Sequence, residues 1–399
     1  MTPPAPGPFR TADVPLADPY PYYRRFREGD PVHLGPDGSW YVFRHRDVAR
    51  VLGDRRYVRG PQPAGIPPGC PHLKRTTAAW MVFMDPPRHT RVRALVAKSF
   101  TPRIVETLRP RIRQLADSLV TALAEEREAD LVDRLAAPFP LLVISELLGV
   151  PPQDRAWFRA RAVDLQQATG SRVARRADGF AVADAAAREL DRYFRAELAR
   201  RRARPAFGAD LIGTMLEHAG AAGVDDDTLV GTCVHLLTAG HETTTNLLCK
   251  GLLALFAHPA QLAALRARPE LMANAVEELI RYDAPVQMVT RRSAAEDRLG
   301  GHTVPRDSRV VLVLGSANRD PAWFPDPDRL DLTRDTLRHS GFGMGSHYCV
   351  GAALARAEAE IGLTALLSGL PRLALSAEPV RFAEDLVFHG PARMMVRTR

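Results

Sequence analysis

Ten consecutive residues, Phe342-Gly343-Met344-Gly345-Ser346-His347-Tyr348-Cys349-Val350-Gly351, have the chemistry of a ligand loop. Their glycines admit backbone conformations closed to other residues and let the chain approach something large and flat. Cys349 stands just before a helical pattern, and a helix N-terminus favours the thiolate form of a cysteine. An anionic sulfur in that setting suits a metal. A phosphate loop is the obvious competitor, but its Gly-Lys-Ser/Thr ending is missing. Zinc would need three further ligands, and only His347 is near. A buried cysteine behaving as a small hydrophobe is the remaining alternative. Taken alone, the segment favours iron.

Three other groups carry chemistry. Asp226–His258 reads as one helix, with Asp225-Asp226-Asp227 at its start and Pro259 at its stop. About 30 residues at 1.5 Å each make it ~45 Å long. It is apolar on nearly every face, so it should be buried. Yet its middle is Ala239-Gly240-His241-Glu242-Thr243-Thr244-Thr245-Asn246, and polar groups there are costly unless paired or used. Thr244 and Thr245 read as hydroxyls bonding back to helix carbonyls, and His241 as a structural or solvent-side histidine. Glu278 and Arg281 lie at i and i+3 on one helix face, which in isolation is a surface ion pair of small value. In Asp85-Pro86-Pro87-Arg88-His89-Thr90-Arg91-Val92-Arg93, His89 and Arg93 lie four apart and point the same way.

Taken in their order along the chain, these segments resemble the bacterial, actinobacterial-type cytochrome P450 family, whose cysteine loop reads F-G-x-G-x-H-x-C-x-G. The similarity runs roughly from Asp85 to Arg356. It implies the family's fold and heme b, with Cys349 as the thiolate ligand of the iron. A thiolate donates electron density and favours O–O cleavage, a role assigned to this family in general. Phe342 would pack beside the sulfur, with Gly351 completing the loop. Ala239-Gly240-His241-Glu242-Thr243-Thr244 resembles the family's A/G-G-x-D/E-T-T segment above the heme. There Ala239 and Gly240 would leave room for O2 and substrate, and Glu242 with Thr243 would form the acid–alcohol pair that relays protons.

The resemblance extends to the supporting residues. Glu278 and Arg281 match the E-x-x-R pair, and Arg329, in Phe324-Pro325-Asp326-Pro327-Asp328-Arg329-Leu330, fits the place of its third member. Leu330 stands where phenylalanine is more usual. The heme propionates need charged partners, and His89, Arg93, Arg291 and His347 match those positions, with Arg292 an adjacent alternative to Arg291. By family layout the substrate would meet the Pro-rich loop up to Phe83, residues near Leu165–Gly170, then Leu236 and Ala239, Val286–Val289, and Val387–Phe388. Within these, Phe83, Leu236, Ala239, Val286, Val289 and Phe388 are the candidate contacts, and an apolar lining takes an apolar or amphipathic molecule.

The elements that must position these groups follow from the pattern. Val32–Leu34 and Trp40–Arg44 flank Gly35-Pro36-Asp37-Gly38 as a hairpin. The first ~30 residues drape over the surface until Pro19–Arg27, and residues 58–78 form a loop or lid. Helical spacing begins near Pro86 and is clear at Ile104, Leu108, Ile112, Leu115 and Leu119, in Ala156–Gln167 and in Val182–Leu198. Further helices are expected over Glu270–Tyr282 and from Gly351 to Leu367. Strands are expected at Val286–Arg291, Arg309–Leu314 and within Asp385–Arg399. No internal repeat or low-complexity linker occurs. The reading is mainly α with minor β, one compact helical unit with small β-sheets over residues 1–399.

Composition bounds the rest. With 46% hydrophobic and 25% charged residues the 399-residue chain is of globular type. It has a formal net charge of +8 and 54 Lys+Arg, of which only Lys74, Lys98 and Lys250 are lysines. Such charge suggests a polyanionic partner, but the arginines are spread rather than clustered and no docking motif occurs, so nucleic acid is not expected. Cys70, Cys233, Cys249 and Cys349 form no C-x-x-C pair. With no secretory pattern and no apolar run of the ~18 residues that span a bilayer, the expectation is a cytoplasmic monomer off the membrane.

The expected reaction inserts one atom of O2 into a small organic substrate by hydroxylation or epoxidation. Secondary-metabolite (antibiotic) biosynthesis is the expected setting. Electrons would come from NAD(P)H through a ferredoxin reductase and an acidic ferredoxin, which Arg103, Arg338 and Arg356 would steer. Two other functions compete. A peroxide-driven peroxygenase has no need of Glu242-Thr243, and a non-enzymatic heme sensor could keep Cys349 without them.

Overall fold

The computed structural model describes residues 7–60, 65–166, 168, 178–204, 207–208, 210–336 and 338–399. They form two compact units. The first comprises Met1–Gly60, Asn246–Cys349 and Val380–Pro391, and the second Pro61–Thr245, Val350–Pro379 and Ala392–Arg399.

The first unit is built on a five-stranded sheet. Its strand order is Val32–Leu34, Trp40–Val42, Arg309–Val313, Met288–Ser293, Tyr57–Val58. The expected hairpin is there, with Val32 opposite Val42 and Gly38 at φ 75° in its turn. Strand Arg309–Val313 runs parallel to Trp40–Val42 and antiparallel to Met288–Ser293, placing Arg291 opposite Val310. Alternate residues of a strand face opposite ways. Val310 and Leu312 accordingly join one apolar cluster with Val42 and Val48, while Val311 and Val313 join another with Phe9, Tyr23, Phe26 and Phe43. The N-terminal segment therefore does more than drape. Phe9 is 1% exposed against four aromatic rings, and a helix spans Tyr20–Gly29.

The second unit is helical. Helix Ala352–Gly369 packs along Pro102–Glu125, and Arg155–Gln166 against Gly179–Arg202. Helix Pro102–Glu125 starts where the Thr101 hydroxyl accepts from the Ile104 amide and Pro102 supplies a ready-made φ. A three-stranded sheet joins Glu128–Asp130, Met395–Arg397 and Ala374–Leu375. The long helix runs Asp226–Ala257, with the Asp225 carboxylate accepting from the Thr228 amide at 2.8 Å, and the division between units falls at Thr245–Asn246. No single helix among the described residues is both long and apolar enough to cross a membrane.

Some boundaries differ from the sequence reading. The stretch 58–78 holds a helix over Pro71–Ala78, because a proline is well placed at a first helical position. The strand expected from Val286 begins at Met288, Val286 instead bridging Phe388. The proline-rich span also includes residues 61–64, outside the described residues.

Candidate active site

The cysteine loop belongs to the first unit. It is folded by its glycines: Gly343 and Gly345 sit at φ 69° and 68°, left-handed conformations that disfavour other residues. Gly345 is doubly constrained, since a Cβ there would lie 2.4 Å from the Leu52 carbonyl oxygen. The Cys349 amide donates to the Phe342 carbonyl at 2.9 Å, closing the loop, and the Gly343 amide donates to Ser340 at 2.8 Å. Asn318 Oδ1 accepts from both the amide (2.8 Å) and the hydroxyl (2.7 Å) of Ser340. Phe342 contacts the rings of His339 and Tyr348, while Cys349 and His347 are half-buried. Helix Ala352–Gly369 follows, with Gly351 as its N-cap.

The E-x-x-R pair braces this loop. Glu278 and Arg281 are both 0% exposed and joined by two bonds, Nε to Oε2 at 2.6 Å and Nη2 to Oε1 at 2.8 Å. Arg281 Nη1 also donates to the carbonyls of Asn318 and Pro327, each at 2.9 Å. Asn318 thus links the buried pair to Ser340 at the loop's base. The third arginine is Arg334, not Arg329. Arg334 Nε reaches Glu278 Oε1 at 3.3 Å, and its other nitrogens hold the carbonyls of Pro325, Asp326 and Arg329. The Arg329 side chain is 66% exposed on Asp331, and only its carbonyl joins the cluster. The loop turns its backbone inward there, so the outward side chain takes a solvent-side partner.

The polar break lies in the second unit. Ala239 is exposed and Gly240 and Thr243 half-buried, whereas His241, Glu242, Thr244 and Thr245 are buried. A Cβ on Gly240 would meet nothing within 4 Å, so small residues give the helix an unobstructed surface at this point. The Thr243 hydroxyl donates to the Ala239 carbonyl at 3.1 Å and that of Thr245 to His241 at 2.7 Å. Thr244 departs from the expected back-bonding: its hydroxyl pairs with Glu358, a wholly buried carboxyl of helix Ala352–Gly369. Burial pushes Glu358 up to about 8, against the lowering effect of that hydrogen bond. His241 Nδ1 is 3.0 Å from Gln166 Nε2, which fits its structural reading.

The cationic candidates sort by burial. Arg291 is 5% exposed, whereas Arg292 is exposed and paired with Asp307, so strand alternation turns Arg291 inward. His89 is buried and Arg93 half-buried on helix Arg88–Ala97. The apolar candidates Phe83, Val286, Val289 and Phe388 are half-buried and Leu236 is buried. Phe83 stacks on Trp80, which stacks on His235. Leu165 and Gln166 end a helix, and Gln167, Thr169 and Gly170 lie outside the described residues.

The donor set fits a heme. Among the described residues no three His, Cys, Asp or Glu side chains gather into a metal-holding group. Iron carried in a macrocycle needs just one protein sulfur, which Cys349 could supply, and its carboxylates need cations, of which the first unit offers the buried Arg291. Sequence reasoning missed Arg334, Glu358 and the buried Lys250. Only Lys250 left a signal, being a lysine in an apolar helical run.

A family model described as cytochrome P450 matches residues 172–371. Cytochrome P450 monooxygenase PikC of Streptomyces venezuelae is 42% identical over 91% of this chain and 86% of its own length. The polyketide biosynthesis cytochrome P450 PksS of Bacillus subtilis is 36% identical, over 94% of each chain. The crystal structure of CalO2 superposes with a TM-score of 0.89 at 34% identity, covering 98% of this chain and 99% of that one.

Proposed function

Because the chain belongs to the cytochrome P450 family and is a monooxygenase of that family, we propose that residues 1–399 act as one domain binding heme b through the Cys349 sulfur. What supports this most is the braced loop. Glycine conformations, the Asn318 link and the Glu278–Arg281–Arg334 cluster all hold the segment that ends at Cys349. His89, Arg93, Arg291 and His347 neutralise the propionates, Phe342 shields the sulfur, and Ala239, Gly240 and Gly351 give clearance.

Bound heme iron with a thiolate ligand supplies the activation of O2. The protein supplies protons and placement. Thr243 Oγ1, anchored by its donation to Ala239, offers its lone pairs to a hydrogen-bond donor, and Glu242 carries protons to that hydroxyl. The substrate is an apolar or amphipathic molecule of secondary metabolism. Supporting this are the apolar candidates Phe83, Leu236, Val286, Val289 and Phe388 and the polyketide role in the name of one relative. Electrons arrive from NAD(P)H through a ferredoxin reductase and ferredoxin, and the working form is a monomer.

The test is the absorption spectrum of the reduced, CO-bound protein. A red-shifted thiolate Soret band is expected, and Cys349→Ser should abolish it. A wild-type protein lacking that band, or a serine variant retaining it, overturns the reading.

A further inference from the structure

Lys250 is a charged group in the apolar half of the long helix, 1% exposed, with no part in the chemistry above. Its Nζ lies 2.8 Å from the Ala284 carbonyl, 2.7 Å from Asp283 Oδ1 and 2.8 Å from His389 Nδ1. The Tyr20 hydroxyl donates to the same Asp283 oxygen at 2.5 Å, and His389 Nε2 lies 2.6 Å from the Leu16 carbonyl. His389 therefore accepts from the ammonium at Nδ1 and donates to Leu16 from Nε2. Burial, then the adjacent Lys250 charge, depress the imidazole to about 4, so it is neutral. Burial lowers Lys250 while Asp283 opposes that, and the burial that would raise Asp283 is outweighed by Lys250 and the Tyr20 hydroxyl. The Lys250 nitrogen, buried, and the Asp283 carboxylate, half-buried, thus face each other as a close pair.

What the lysine grips matters more than the pair itself. The segments around Val286 and Phe388 run antiparallel: the Gln287 amide donates to Val387 at 2.9 Å, the His389 amide to Pro285 at 3.0 Å, and Val286 bridges Phe388. Alternation puts Gln287 and His389 on the buried side and leaves Val286 and Phe388 half-exposed. A slip of one residue would exchange the two faces. Lys250 touches one residue of each segment, Ala284 and His389. One helical turn earlier, Asn246 Nδ2 donates to the Phe388 carbonyl at 3.1 Å. The chain runs so close to Asn246 that a Cβ on Gly390 would lie 1.8 Å from its Oδ1.

We propose that Lys250 is a positioning residue for substrate selection, holding the segments 284–289 and 386–390 in the register that presents Val286 and Phe388 to the substrate. This rests on the heme-enzyme reading of the same site. The test uses two ligands that coordinate iron through the same nitrogen, imidazole and the bulky azole clotrimazole, followed by their Soret shifts in wild type, Lys250→Met and Lys250→Met/Asp283→Asn. Lys250→Met is expected to weaken clotrimazole about tenfold and imidazole by less than about twofold. The double variant, freed of the unpaired carboxylate, is expected to regain thermal stability without regaining clotrimazole affinity.

Amide hydrogen exchange over 386–390 gives a reading that needs no ligand, with exchange about tenfold faster in both variants. Unchanged exchange, equal losses for the two azoles, or a double variant that restores both stability and azole binding would overturn the proposal. Failure of wild type to shift with imidazole would instead overturn the heme reading.

Discussion

A carboxyl kept neutral inside a helical unit is a pH-dependent part of the fold. Glu358 is 3% exposed and raised to about 8 by burial, with the Thr244 hydroxyl as its partner. In the unfolded chain it would ionise near its ordinary value, so between roughly pH 4.5 and pH 8 the folded state binds the extra proton. Stability from this group is therefore greatest at low pH and falls as pH rises through that window. Glu358→Gln keeps the shape and removes the titration. Its stability relative to wild type, read from urea midpoints of the holoprotein, should improve by about 2 kcal/mol between pH 6 and pH 8. An equal offset at both pH values would count against a neutral Glu358. At the same scale, Arg291 and Arg292 show why neighbours in sequence differ in role: one strand step decides which guanidinium is buried.

Among the elements, the loop before the cysteine depends on a buried charge cluster. Glu278 Oε1 accepts from Arg281 Nη2, Arg334 Nε and the Asp331 amide. Arg334→Ala strips the carboxylate of one cation and removes the guanidinium's hydrogen bonds to the Pro325, Asp326 and Arg329 carbonyls. Its expected cost is about 3 kcal/mol, with loss of heme retention. Arg329→Ala removes an exposed pair with Asp331 and should cost less than about 1 kcal/mol. Thermal denaturation and heme retention of the two variants decide the matter, and the reverse order would restore Arg329 to the cluster. The E-x-x-R pair was legible because both residues ride one helix at fixed spacing. The third arginine was not, because a loop has no period, and which of its arginines turns inward is set by where the backbone closes.

For the whole molecule, the arginine excess divides into internal and external use. Arg201 bonds Glu197 and Asp210, Arg195 bonds Asp191, and Arg50 bonds Asp297, so much of the positive charge is spent on the fold. Arg103 and Arg338 remain exposed on the first turn of one helix and beside the cysteine loop, respectively, and Arg356 is half-buried. Replacing Arg103 and Arg338 by Glu should slow reduction by an acidic ferredoxin about tenfold at low ionic strength and flatten its salt dependence. Stopped-flow reduction rates at two salt concentrations measure this, and rates that ignore both substitutions would remove these arginines from partner docking.

What the sequence by itself determined was local. The glycine spacing around Cys349, the polar break in one long apolar helix and the i, i+3 pair at Glu278 and Arg281 are short-range patterns. Backbone geometry and helical period make such patterns readable without a fold. The tertiary structure alone decided which distant groups meet. Thr244 finds Glu358, Arg334 displaces Arg329 at Glu278, and Lys250 joins Asp283 to His389. Each is a buried polar group whose solvation must be replaced, and the partner that replaces it lies at a sequence separation that no local periodicity encodes.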